Sequence, residues 1–325
     1  MPSAPGDTVI ASEVRVSSGL DRSVLSFDIG GSHISAALCH GGDYRLGSVI
    51  SASYASIETA DAFVGLLYSL GVKVGAESEN ASGAALAIPG PFDYAIGVSH
   101  MRHKLPFLFG VNLHQALAAC FGWEPGQVCS LNDADAFLLG EVGAGAVRGV
   151  SRAVGLTLGT GIGSAFAVDG HVVTTGPGVP PDGEIWNIPY EGGIVEDLVS
   201  TRAIQGAYQK RTGTLREVAE IAKDAAHDPA AAEAFNEFGR NLGQAMRAVL
   251  YPFAPRVVVL GGGISQSSPL FLSATLAELQ GLDVELRISE LRDHAALVGA
   301  AVRWFETHNS EDAQFAEAKL QADPV

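Results

Sequence analysis

Asp133, in the segment LNDADAFLLGE, sets a carboxylate beside the amide of Asn132, and the pair falls between glycine-rich turns that could hold phosphates. Three such turns each follow a strand-like apolar run: SFDIGGSHISAAL from Ser26, GLTLGTGIGSAF from Gly155 and RVVVLGGGIS from Arg256. Glycine permits positive φ and lets backbone amides approach an anion with no Cβ in the way, so such turns often cradle phosphate. Together they could hold a nucleotide by its phosphates and its adenosine, which points to phosphoryl transfer. By residue type alone Asp133 has a second reading, because it lies just before a helix starting near Ala134, where Asp is a common N-cap. Asn132 reads equally well as a turn residue.

The elements that must position these residues follow from the apolar pattern. Residues 1–22 are rich in Ser, Pro, Gly and Ala and read as a loose tail. From Ser23 the runs VLSFDI, HISAALC and YRLGSVIS predict an antiparallel meander, Thr59 to Leu70 a helix, and GAALAIPG a buried strand. Asn112 begins a helix as a polar N-cap, QVCSLN is a strand ending at Asn132, and a helix follows it. The meander then recurs as AVGLTLGT, GSAFAVDG and HVVTTG, in the same order and spacing. This echo predicts two similar α/β halves facing each other across a cleft. Residues 23–131 form the smaller domain, completed by a helix over about 294–307, and residues 132–293 the larger. Pro229 separates two helices between Thr214 and Tyr251. The acidic, alanine-rich tail after Thr307 is assigned no function.

With 325 residues, 47% hydrophobic and 17% charged, the chain is globular and long enough for two packed domains. Its net charge of −16, with no basic stripe, disfavours a nucleic-acid partner and leaves ATP and a neutral substrate compatible. Cys39, Cys120 and Cys129 form no CxxC pair and no close cluster with histidine, which argues against a structural zinc or a disulfide scaffold. A reducing cytoplasm fits, since the N-terminus lacks a signal-peptide pattern and no apolar run nears the roughly 18 residues of a membrane span.

From about Ser23 to Phe305 the chain resembles the ROK family of sugar kinases and sugar-responsive repressors, within the actin-like ATPase superfamily. DIGGSHI is similar to the family's DIGGTKI phosphate turn, AIPGP to its substrate loop, and LNDADAFLLGE to its ENDANAAALGE segment. TLGTGIGSA resembles the second phosphate turn and VVLGGGIS the adenosine turn. The repressors carry an N-terminal helix-turn-helix domain of several dozen residues; about twenty residues precede the first strand here, so a kinase is expected. The resemblance implies two actin-like (ribonuclease H-like) domains flanking a central cleft that closes on sugar and ATP, and it implies a homodimer.

The resemblance also implies roles. Asp133 is the general base that takes the sugar hydroxyl's proton as it attacks the γ-phosphate. Asn132 and the Gly90 backbone bind sugar hydroxyls. Asp28 orients water around Mg²⁺ while Gly30, Gly31 and Ser32 cover the phosphates. Gly159, Thr160, Gly161 and Gly163 hold phosphates from the opposite half, and Gly261, Gly262 and Gly263 lie along the adenosine. Anchoring GEIWNIPYEGGIVEDLVS on the family's GExGH and CxCGxxGCLExxxS segments puts Glu184 and Glu196 at two sugar-binding carboxylates. Read without the family, the two are surface or helix N-terminal acids.

The chain departs from the family in two places. Asn187 stands where the family has a histidine that binds zinc and sugar, and the zinc cysteines are missing, so no structural zinc is expected, although Asn187 can still meet a sugar hydroxyl. His33 replaces the usual lysine of the first phosphate turn. Trp186 and Tyr190 are expected to fill the vacated space, with core packing ahead of stacking on a sugar.

The leading expectation is an ATP- and Mg²⁺-dependent hexose kinase of glucokinase type acting on a primary hydroxyl. Fructose, mannose, an N-acetylhexosamine or a β-glucoside fit the same residues. The rivals are a sugar-binding sensor that has lost catalysis and an actin-like ATPase working as an assembly or chaperone module.

Overall fold

The computed structural model describes residues 22–322, so the tail expected over 1–22 lies, Arg22 apart, outside the described residues. Strands β1 (Ser23–Ile29), β2 (His33–His40) and β3 (Ile50–Ser53) form the expected meander, followed by α1 (Ala60–Lys73) and the fully buried β4 (Ala84–Ala87). A small hairpin, β5 (Phe92–Asp93) with β6 (Val98–Ser99), and α2 (Leu113–Phe121) lead into β7 (Val128–Leu131) and α3 (Asp133–Ala144). The second meander comprises β8 (Arg152–Leu158), β9 (Ile162–Val168) and β10 (His171–Val172), and a second hairpin pairs β11 (Pro189–Tyr190) with β12 (Gly193–Ile194). Helices α4 (Val195–Leu198), α5 (Thr201–Thr212), α6 (Val218–Asp224) and α7 (Pro229–Leu250) precede β13 (Val257–Gly261), α8 (Leu272–Glu278), β14 (Glu285–Ile288) and α9 (Ala295–Ala322).

Local chemistry explains the boundaries. Thr59 and Asn112 cap α1 and α2 by accepting from the Ala62 and Gln115 amides at 3.3 and 3.0 Å, and Gly122 at φ 71° stops α2 in the left-handed region. Pro229 opens α7 after the Asp228 cap, a position where its missing N–H costs nothing. Helix α9 runs on to Ala322, through the segment read as a tail, because its Ala, Glu, Gln and Lys residues favour helix and extend one already nucleated. Among the described residues no helix is long and apolar enough to cross a membrane.

Among the described residues the strands form two five-stranded sheets of the same order, β3-β2-β1-β4-β7 and β10-β9-β8-β13-β14. The echo in the sequence is thus an echo in topology. In the first sheet Asp28 pairs in register with Ala87 and Ala87 with Leu131, so β1, β4 and β7 end side by side. In the second, Thr157 pairs with Gly261. The glycine turns therefore leave from neighbouring carboxyl ends of parallel strands, the edge where α/β sheets place ligands.

Helices α3 and α9 lie together between the sheets. Leu139 and Ala136 of α3 join Val298, Ala301 and Trp304 of α9 in a cluster against the first sheet, while Phe137, Leu138 and Ala295 pack on the second. A Cβ at Gly299 would enter the envelope of the Ala136 carbonyl oxygen, and one at Gly140 that of the Ala295 carbonyl oxygen. Backbone meets backbone at this crossing. Just beyond it the fully buried Glu141 accepts from the Ser289 hydroxyl at 2.5 Å and from the Ala146, Leu291 and Glu290 amides at 2.7, 3.0 and 3.3 Å. The carboxylate has enough donors to remain buried, and it ties the end of α3 to the approach of α9.

Gly299→Ala is expected to destabilise the protein by about 3 kcal/mol, the upper range for overpacking a core, since carbonyl groups cannot yield as side-chain tips can. Gly206→Ala, in α5 with open space around it, is expected to raise stability by about 0.5 kcal/mol through helix propensity. Thermal melts of the two variants check both directions.

Candidate active site

The site begins at the junction of β7 and α3. Asn132 caps α3, its Oδ1 accepting from the Ala134 amide at 2.9 Å and the Asp135 amide at 3.4 Å, while its Nδ2 donates to the Tyr94 hydroxyl at 3.3 Å. Tyr94 donates in turn to the Ile88 carbonyl at 3.1 Å, beside the loop that carries Gly90. The cap is Asn132, and Asp133 is the first helical residue.

A cavity of about 770 Å³ opens over this junction. Gly90, Asn132 and Asp133 line it beyond the ends of β4 and β7, and Glu184, Glu196, Gly159, Thr160, Gly161, Gly163 and Gly262 line it from the side of the second sheet. Each part is held by its own bonds. The second glycine turn is pinned by Thr201, whose amide and hydroxyl donate to the Gly159 carbonyl at 2.8 and 2.9 Å. Buried Ser164 donates to the Gly183 carbonyl at 2.6 Å and accepts from the Ile185 amide at 3.1 Å, which fixes the backbone around Glu184. Glu184 accepts from the Trp186 indole at 2.8 Å, and Glu196 accepts from the Ile162 amide at 3.4 Å with Arg202 also 3.4 Å away. The first glycine turn is held by the Tyr54 hydroxyl, which donates to the Gly30 carbonyl.

The carboxylates of the cleft are crowded. Asp133 is packed by protein on most sides yet still reached by water; burial raises its carboxyl above the ordinary range, Lys104 opposes the rise, and Glu184 adds to it. Asp28 is pushed up to about 7, first by burial and then by Asp133 and Asp293. Asp135 also rises to about 7 through burial, countered by Arg303 and reinforced by Asp133 and Glu184. Acids poised this way are suited to accepting protons or to meeting a cation. Asp28 is an oxygen donor among like charges, which suits a hard divalent cation such as Mg²⁺. Among the described residues no group of three or more His, Cys, Asp or Glu is placed to hold a metal.

The glycines divide into two kinds. Gly31 and Gly159 face open space, which leaves their backbone accessible to a ligand. Gly261 faces the Phe137 ring of α3, and Gly163 sits over the Thr157 side chain with Ala134 Cβ at 3.2 Å, so these two allow close approach of elements. Gly262, at φ 78° and against the Leu158 carbonyl, admits only glycine, and Gly263 is open. Asp28, Gly30, Gly31, Ser32, Gly261 and Gly263 do not line the cavity. Asn187 is exposed and also outside the lining: Ile185 and Ile188 turn to the core, which leaves Trp186 toward the cavity and Asn187 toward solvent. Trp186, 40% exposed, is a cavity wall and not core packing. The loop His100–Lys104 also lines the cavity and was missed. Four basic or imidazole residues in five positions, in a chain with only 20 Lys and Arg, were the available signal.

The ROK family model matches residues 24–307. The chain is 29% identical over 258 residues to a glucokinase of Thermotoga maritima, covering 69% of this chain and 80% of that one. Among solved structures, a ROK hexokinase from Thermus thermophilus matches with a TM-score of 0.72 and 26% identity, covering 88% of this chain and 99% of that one. A ROK glucokinase from Streptomyces griseus, solved with glucose and AMPPNP, matches with a TM-score of 0.71 and 22% identity, over 86% and 98% of the two chains. The two sheets thus form an actin-like ATPase fold.

The raised Asp28 carboxyl has a consequence for stability. Between the ordinary value of 3.8 and about 7 the folded protein binds more protons than the unfolded chain, so this group makes stability fall as pH rises through that window. Asp28→Asn is expected to melt above the wild type at pH 8 without divalent cations, the gap closing toward pH 4. Added Mg²⁺ is expected to raise the wild-type melting temperature and leave the variant's unchanged. Thermal melts at the two pH values, with and without Mg²⁺, check this.

Proposed function

Because the chain belongs to the ROK family and is a sugar kinase, we propose that it transfers the γ-phosphate of ATP to a primary hydroxyl of a hexose, in the manner of a glucokinase. The observation that carries this reading is that Asp133, Glu184, Glu196 and the second glycine turn share one cavity. A hydroxyl held by acids at one end and a phosphate cradle at the other are the two reactants of a kinase.

On this reading Asp133 accepts the hydroxyl proton as the oxygen attacks phosphorus, and its raised carboxyl makes it a stronger base than a solvated aspartate. Asn132, the Gly90 backbone, Glu184 and Glu196 take the sugar's other hydroxyls, with charged acceptors making the stronger bonds. Trp186 offers its face to the ring, held by its bond to Glu184. Gly159 to Gly163 cover the phosphates from one half, Gly30 to Ser32 from the other, and Gly262 turns the chain beside the adenosine. Asp28 would hold Mg²⁺ through water, and that ion, when bound, would neutralise part of the phosphate charge. Residues 23–131 with the helix over 294–307, and residues 132–293, would close on the two substrates as separate bodies, excluding water that would hydrolyse ATP.

Glucose is the first acceptor to try, since the Thermotoga maritima relative is a glucokinase. ADP release with Mg-ATP across hexoses and amino sugars is expected to show sugar-dependent turnover that Asp133→Asn lowers by about 10²- to 10⁴-fold. If sugars bind and none raises turnover, the kinase reading fails and a sensor takes its place.

A further inference from the structure

The cations that line the cavity come from one loop, and that loop is built to present them. Ser99, fully buried, accepts from the Met101 amide at 3.3 Å, and the His100 amide donates to the Pro91 carbonyl at 3.1 Å, which ties the loop to the turn after Gly90. Met101 and Leu105 are sunk in the core beneath the first sheet, at 0% and 1% exposure. The residues between them, Arg102, His103 and Lys104, are thereby turned outward, and all three line the cavity. The Arg102 guanidinium lies 4.0 Å over the Phe109 ring, a contact that holds the side chain and leaves its N–H donors available.

Among the described residues neither Arg102 nor Lys104 forms an ion pair with an acid. Two unpaired cations in the cleft of a chain with net charge −16 call for an anion from outside. Lys104 and Asp133 line the same cavity, so an anion held there by Lys104 shares that space with the Asp133 carboxyl. During transfer the phosphorus is attached to the very oxygen whose proton Asp133 takes. A cation that lines the cavity with Asp133 is therefore placed to meet the equatorial phosphoryl oxygens as well.

We propose that Lys104, supported by Arg102, is a cationic subsite for the phosphoryl group in transit from ATP to the acceptor, approaching from the acceptor side of the cleft. This rests on the kinase reading of the cavity. The bond from the acceptor oxygen to phosphorus forms while the β–γ bridging bond breaks; the acceptor proton goes to Asp133, and the electron pair of the broken bond leaves on ADP. Lys104 keeps its proton and forms no covalent bond. Its contribution is greatest when charge is spread over the three equatorial oxygens, so it acts on turnover more than on sugar binding.

The test is steady-state kinetics of Lys104→Met and Lys104→Arg from pH 6 to 9, with calorimetric titration of inorganic phosphate as the probe of the subsite. Lys104 is exposed, so the variants are expected to melt with the wild type. Lys104→Met is expected to lower kcat by about 10²-fold with the sugar KM within about threefold, and Lys104→Arg to recover to within about tenfold of wild type. Phosphate binding by Lys104→Met is expected to weaken at least tenfold. Unchanged kcat, or a rise in sugar KM alone, overturns the proposal. So does a shift of the acid limb to higher pH at constant plateau kcat, which would mean that Lys104 acts only on Asp133. If the wild type phosphorylates no sugar, the kinase reading falls, and equal phosphate affinity in wild type and Lys104→Met separately rejects the subsite.

Discussion

The structure depends on the crossing of α3 and α9, where Gly140 and Gly299 bring two helix backbones into contact between the sheets. Any side chain there would force the helices apart, and with them the sheets that each supports. Because Asp133 is the first residue of α3, the same crossing sets the height of its carboxylate over the cleft. The second glycine turn is brought to it through Gly163 against Ala134, and the third strand end through Gly261 against the Phe137 ring. Asp133 and the second glycine turn are thus spaced by glycines packed closely against α3, where a dense interior leaves little room to shift.

The second constraint is electrostatic. Three carboxylates, from Asp133, Glu184 and Glu196, line a cleft in which the proposed substrate brings a triphosphate, and those of Asp28 and Asp135 feel the charge of Asp133 from behind the lining. Acids suit the hydroxyls of a sugar and repel phosphates, so the two ends of the cleft need different chemistry. On the proposed mechanism backbone amides, a divalent cation at Asp28 and the cations of the 100–104 loop supply the phosphate end. Glu196 stands at the border: its carboxylate covers Gly161 and accepts from the Ile162 amide, within the second glycine turn itself.

The two-sheet fold was legible because the meander and its turn are written twice, and because strands of four to eight buried apolar residues end at glycines in both copies. The cap at Asn112, the break at Pro229 and the closing helix were legible for equally local reasons. The different work of the individual glycines was not. Gly159 and Gly261 look alike in a sequence, and only three-dimensional packing separates an amide facing open space from a seat for the Phe137 ring. The cationic loop carries no such signal, because it has no period and joins no regular element; its direction is fixed by Met101 and Leu105 entering a core that a sequence cannot display. Asn187 followed from alignment with a segment whose histidine and cysteines are absent here, and the local alternation of Ile185, Trp186 and Ile188 instead gives the cavity Trp186.

The most direct test of the account is a crystal structure of the protein with its preferred hexose and a non-hydrolysable ATP analogue. The account requires the acceptor hydroxyl within hydrogen-bond reach of the Asp133 carboxylate, in line with the γ-phosphate, and that phosphate between the second glycine turn and Lys104. A nucleotide bound away from that turn, or a sugar whose hydroxyls meet Glu184 and Glu196 while Asp133 stays out of reach, would contradict it.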